Sequence, residues 1–166
     1  MMNLQELQTA VIAWANFKGI VGRENSDRQF LKFDEESGEL SGAIVKNNNA
    51  LTVDSIGDTL VTLIILAADL QYHIKLQSID NLVKENSPNE IPTFFYVREL
   101  IRLKGLLISG YNEETISLCI ETTLQIAYVL NLDPAECLDV AYNVIRKRKG
   151  KMINGIFVKE EDLCEL

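Results

Sequence analysis

From Ile56 to Leu70 the chain is apolar on most sides of any helix it could form, and Asp54 and Asp58 stand at the head of that run. A helix apolar nearly all round has to be buried. The segment therefore demands a coat of other helices, and it draws two carboxylates to the edge of a core. Thr52 is the expected cap. The segment before it supplies a partner wall: Phe30, Phe33, Ser37, Leu40 and Ile44 recur at helical spacing beside a second acidic cluster, Glu35-Glu36-Ser37-Gly38-Glu39. Within each cluster, acids three or four residues apart share one helix face. Ser26 is the expected cap here, and Lys46 with its following asparagines the stop, since asparagine tolerates a left-handed terminus.

The other elements follow from spacing and punctuation. Leu4, Leu7, Val11 and Trp14 mark an amphipathic first helix ending near Gly19. Between Ile74 and Tyr111 the pattern weakens. Pro88 and Pro92 break any helix, and Thr93 to Leu107 predicts another. Asn112 opens a helix running to Leu130. Asp133-Pro134-Ala135-Glu136 opens the last one, to about Arg148, with an acceptor at the cap and proline in the first turn. Met152 to Val158 reads as a hairpin about Asn154-Gly155, a pair suited to the type I′ turn. The composite is an all-α helical bundle with a short C-terminal β-hairpin.

At 166 residues one domain spanning 1–166 is expected, with enough chain for a core. The net charge of -8 argues against a nucleic acid polymer or an anionic membrane as partner. The apolar run from Leu60 to Ala68, interrupted by Thr62, is too short to span a bilayer, and the N-terminus has no basic region of a signal peptide. Cys119, Cys137 and Cys164 are far apart and odd in number, which fits neither a disulfide framework nor a zinc site. A reducing, cytoplasmic setting is expected.

The acids carry the chemistry. Glu36 lies beside the apolar stripe, three residues after Phe33 and four before Leu40, with Glu39 one turn on. Asp58 lies between Asp54 and Val61 on the helix that must be buried. Two charges about 4 Å apart at an effective dielectric of about 20 interact by ~4 kcal/mol. Such a cluster shifts its pKa values or takes a cation. Mg²⁺ is suited to the role, since it is held by a few carboxylates plus substrate phosphates. For Glu35 alone, a solvated face is the simpler reading. Gly38, Gly42 and Gly57 each cost ~1 kcal/mol against alanine in a helix, which points to close helix packing or to room for a ligand. Arg146, Lys147, Arg148, Lys149 and Lys151 suit either phosphate contacts or a helix C-terminus. Trp14 is a core residue or a stacking platform. His73 is the single histidine, so the paired Glu-x-x-His of di-iron bundles is absent.

The run Lys32-x-x-Glu35-Glu36-x-x-Glu39-Leu40, followed by Ile56-Gly57-Asp58, resembles the MazG-like nucleoside triphosphate pyrophosphohydrolases of the all-α NTP pyrophosphatase superfamily. Trp14-Ala15 with Lys18-Gly19 looks like the family's first helix. Asp133-Pro134 through Asn143, with Arg148 to Glu160, looks like the tail of small phage and bacterial members. The likeness covers 1–72 and 112–162, and 74–110 reads as an insertion. It implies cleavage of a (d)NTP to (d)NMP and pyrophosphate by water attack at the α-phosphorus, with Mg²⁺ or Mn²⁺. The family's first metal pair maps onto Glu36 and Glu39, and the aspartate of its second onto Asp58. That pair's glutamate falls at Ser55, where Asp54 or a water held by Ser55 would have to substitute. Glu35 or Glu39 would orient the water. Trp14, Lys32, Asn143, Arg146, Arg148, Lys149 and Lys151 would contact the nucleotide. A homodimer or homotetramer is also implied. The departure at Ser55 keeps open a catalytically silent bundle that binds nucleotide or a protein partner.

Overall fold

The apolar third segment forms a helix, Asn49–Asp69, at the centre of the fold. The computed structural model of the protein describes residues 2–22, 25–86, 91–153 and 156–160, without the side chains of Lys151, Met152, Ile156 and Lys159. Along the described chain run α1 (Leu4–Phe17), α2 (Ser26–Val45), α3 (Asn49–Asp69), α4 (Leu76–Glu85), α5 (Thr93–Leu107), α6 (Glu113–Val129) and α7 (Pro134–Ile145). Two short strands follow, β1 (Gly150–Ile153) and β2 (Ile156–Lys159), paired antiparallel with Ile153 opposite Ile156. The protein is all-α, as expected, apart from that ribbon. The type I′ turn was expected at Asn154-Gly155, which lie outside the described residues.

α1, α2, α6 and α7 all pack on α3, which buries Ile56, Leu60, Leu63 and Leu66 completely. By length and composition α3 could cross a membrane, yet 72% of its apolar window is buried by the chain itself. Its apolarity is thus accounted for within one chain. At Gly57 a Cβ would lie 2.2 Å from the Cys137 carbonyl oxygen and 2.8 Å from the Ala141 Cβ. Close approach of α7 explains this glycine, whereas Gly38 and Gly42 face open space.

Several helix ends differ from expectation because another partner, local at α3 and tertiary at α2, takes the expected place. α3 starts at Asn49, and the Asn48 side chain accepts from the Leu51 N–H at 3.2 Å. Thr52 is no cap; its hydroxyl donates to the Asn48 carbonyl. Ser26 is the first residue of α2, and its hydroxyl donates 2.7 Å to Asp69 at the end of α3. Asp69 also accepts from the backbone N–H of Gly22 and of Asn25, at 3.0 and 3.1 Å. One carboxylate thereby holds the loop and seats the start of α2. α7 ends at Ile145 rather than near Arg148. Asn47 closes α2 with φ 51°, in the left-handed region asparagine tolerates.

Residues 74–110, which had no counterpart in the resemblance, form α4 and α5. Leu76, Val83, Leu100, Leu103 and Leu107 join the same hydrophobic core as α3. α4 is tied to α6 through Asp80, fully buried, which accepts from the Tyr128 hydroxyl and pairs with Lys84 at 2.8 Å.

Candidate functional site

α2 and α3 bring Glu36 and Asp58 to the wall of one cavity of about 510 Å³. α2 reaches it with Arg28, Gln29, Lys32 and Glu36, on successive turns of one face, and Asn25 joins from just before the helix. α3 contributes Asp58, Val61, Thr62 and Ile65, again three and four residues apart. Trp14 closes the α1 side, Ile145 and Arg148 the end of α7, and Phe157 comes from the ribbon. Trp14 and Phe157 meet edge to face with ring centroids 6.3 Å apart. Lys18 sits 5.3 Å from the centre of the Phe157 ring and donates to the Arg148 carbonyl at 3.0 Å, fixing the strand and the α7 terminus to α1. The cavity is therefore bipartite. Trp14, Ile20, Ile65, Ile145 and Phe157 make an apolar end, and Lys32, Glu36, Asp58 and Arg148 a charged one.

At the charged end burial and neighbouring acids together outweigh the nearby cations in setting the carboxyl pKa values. Burial pushes the Asp58 carboxyl up to about 6 from 3.8, and the negative charges of Glu36 and Asp54 push it the same way, against Arg148 and Lys32. Burial also raises Glu36, opposed by Lys32 and reinforced by Glu39 and Glu35. Lys32 lies 3.3 Å from Glu36 and also bonds Glu35. The carboxylates are thus near enough to feel one another, and burial and mutual repulsion shift both towards holding their protons to higher pH. Among the described residues no group of three or more Asp, Glu, His or Cys side chains is arranged to hold a metal by itself. Glu36 and Asp58 fit Mg²⁺ in the form that takes one or two protein carboxylates and completes its shell with water and phosphate oxygens.

Of the residues singled out from sequence, the cavity brings together Trp14, Lys32, Glu36, Asp58 and Arg148. It does not bring Glu35, Glu39, Asp54, Asn143, Arg146 or Lys149 to its wall. Glu35 and Glu39 are exposed on α2. Asn143 donates to Asp139 at 2.9 Å along its own helix, and the Arg146 guanidinium lies 5.9 Å from the centre of the Tyr142 ring. The Lys151 side chain lies outside the described residues. Ser55, where the resemblance wants a glutamate, is 1% exposed and its hydroxyl has no hydrogen-bond partner. Arg28 and Gln29 were missed, although their spacing before Lys32 and Glu36 puts them on the same helix face. Nothing local points to Phe157.

No known protein-family profile matches this chain, and no solved structure matches it. Over 74 residues it is 39% identical to an uncharacterized 18.2 kDa protein of the rep-hol intergenic region of Haemophilus phage HP1. The match takes in 45% of this chain and 44% of that protein, so the chain spans less than half the length of the relative it matches.

Proposed function

We propose that the protein is a Mg²⁺-dependent pyrophosphohydrolase of the all-α NTP pyrophosphatase type, cleaving a (d)NTP to (d)NMP and pyrophosphate in the cytoplasm. One observation carries the reading. Two carboxylates from different helices, Glu36 and Asp58, share a cavity with three cations, Arg28, Lys32 and Arg148, and an aromatic edge. In this reading Glu36 and Asp58 hold the ion, with Asp54 and Glu39 reinforcing the local negative potential. When bound, the ion would neutralise charge on the triphosphate in the transition state. Lys32 and Arg148 take phosphate oxygens, the guanidinium by its two-pronged fork. The apolar end, with Trp14 and Phe157, receives the base and excludes water from it. Glu35 and Glu39, the residues expected to orient the attacking water, lie off the cavity wall and are not placed to do so. Glu35 is engaged by Lys32, whereas Glu39 makes no ion pair among the described residues.

The second reading, a silent nucleotide-binding bundle, has Ser55 in its favour, a buried hydroxyl where the family likeness asks for a carboxylate. A panel of NTPs and dNTPs with Mg²⁺ or Mn²⁺, read out as pyrophosphate and monophosphate, separates the two. The hydrolase reading expects both products in equal amounts, metal-dependent and abolished by Glu36→Gln. Turnover that survives this substitution sinks the assigned site. Thermal stabilisation by nucleotide without product favours the silent binder.

A further inference from the structure

The buried face of α2 runs through Gln29, Phe33, Ser37 and Leu40, three or four residues apart. Gln29 stands where that stripe calls for an apolar side chain. It is 9% exposed and lines the candidate cavity, and its carboxamide makes no hydrogen bond among the described residues. Trp14 Nε1 and the Ser55 and Thr59 hydroxyls also lack partners, but those atoms are sealed from solvent. The Gln29 carboxamide is not sealed, so it opens on the cavity. An unpaired buried carboxamide destabilises a fold, and native interiors keep few of them. A methionine or leucine would pack at this position without that penalty. Asn25, one turn earlier, brings a second carboxamide to the cavity and uses it for no cap.

Its place along the cavity says what it meets. Glu36 acts on Asp58, and eleven residues away on each helix the Asn25 N–H bonds Asp69. The two helices are therefore antiparallel, and Gln29 stands level with Ile65. It lies seven residues from Glu36, about 10 Å along the helix, and Ile20 and Ile65 share its end of the cavity. A carboxamide sets an acceptor beside a donor. A phosphate oxygen only accepts and a metal ion only takes lone pairs, so neither satisfies both groups. A nucleobase edge does, and glutamine pairs with such an edge through two bonds at once. The apolar walls suit the flat faces of a base better than the hydroxyls of a sugar. We propose that Gln29 is the specificity-determining residue of this cavity: its carboxamide pairs with the donor–acceptor edge of a nucleobase, so that a triphosphate binds far better as part of a nucleotide than alone. No contact holds the carboxamide one way round, so it turns to meet keto and amino bases alike, selecting for a base rather than among bases. This rests on the nucleotide reading of the cavity, though not on hydrolysis.

Calorimetric titration of the full chain with Mg²⁺ tests it, using α,β-imido dNTPs and NTPs, which resist cleavage, and inorganic tripolyphosphate. The wild type should bind the dNTP analogues at least about tenfold more tightly than tripolyphosphate. Gln29→Met keeps the length of the side chain and removes both polar groups. It should weaken dNTP binding by about 10–100-fold, the loss of two hydrogen bonds, and leave tripolyphosphate binding unchanged. Without ligand this variant should melt at or above the wild-type temperature, because an unpaired carboxamide has gone; a lower melting temperature would make Gln29 a structural residue and overturn the proposal. Wild-type affinity for dNTP no greater than for tripolyphosphate, or unaltered by Gln29→Met, overturns it too and spares the hydrolase reading. A loss confined to the NTP analogues puts the sugar on Gln29 and likewise overturns it. Tight dNTP binding that Gln29→Met weakens, in a protein that releases no pyrophosphate from ordinary dNTPs, supports Gln29 and ends the hydrolase reading instead.

Discussion

Replacing Asp58 by asparagine should make the metal-free protein more stable, and only on one side of neutrality. Folding raises the Asp58 pKa from 3.8 to about 6, through burial first and then through Glu36 and Asp54. The native state therefore holds this proton more tightly than the unfolded chain does. The stabilisation that follows is complete below 3.8 and is lost as the pH climbs through about 6. At 1.36 kcal/mol per pH unit, a rise of this size is worth about 3 kcal/mol at full burial, and about 2 kcal/mol for a half-buried carboxylate still in touch with water. Asparagine keeps the shape and never ionises. Near pH 8, in chelator, the variant should melt about 4–8 °C above the wild type for a chain of this size. Near pH 4 the two should melt together. Added Mg²⁺ should narrow the gap at pH 8, because only the wild type has the carboxylate to bind it. Thermal melts followed by circular dichroism read all three conditions. A variant that is less stable at pH 8, or equally favoured at both pH values, would refute the placement of Asp58 as a buried acid beside Glu36 and Asp54.

Two further substitutions test the frame that positions the site. Gly57→Ala places a methyl 2.2 Å from the Cys137 carbonyl oxygen, so α7 must move and the loss should be about 1–3 kcal/mol; urea unfolding with an unchanged midpoint would contradict the close approach of α3 and α7. Asp69→Ala removes the acceptor of three hydrogen bonds from Gly22, Asn25 and Ser26. A cost of about 2 kcal/mol is expected, together with faster amide exchange at Gly22 and Asn25; unaltered exchange there would show the loop to be held by other means.

Much of the helical order could be read in advance, for local reasons. Pro92, Asn112 and Asp133-Pro134 stop or start helices through their own backbone and side-chain chemistry, and α5, α6 and α7 begin where they indicate. Ser26 and Thr52 misled because a cap is a competition. Asp69, distant in sequence, takes the Ser26 hydroxyl, and Asn48 is better placed than Thr52 to accept the first free N–H of α3. α4 is short, and its burial depends on contacts with α1 and α6 that no local pattern displays. At the site, Glu36 and Asp58 were legible because each flanks an apolar stripe on a helix that must be covered. Glu39 and Asp54 share faces with them by spacing, yet each sits one turn away along its helix and is off the cavity wall. Phe157 and Arg148 arrive by folding of the tail, a long-range event. Thr93 to Leu107 was read only as a helix, because which of its sides faces inward is decided by its neighbours.

Mn²⁺ binding, followed by electron paramagnetic resonance in the absence of nucleotide and then with a triphosphate added, reaches the heart of the account. The wild type should bind the ion weakly alone and more tightly with the triphosphate present, and Glu36→Gln and Asp58→Asn should each weaken both. Binding that these two substitutions leave untouched, or a wild type that takes up no Mn²⁺ with or without triphosphate, would contradict it.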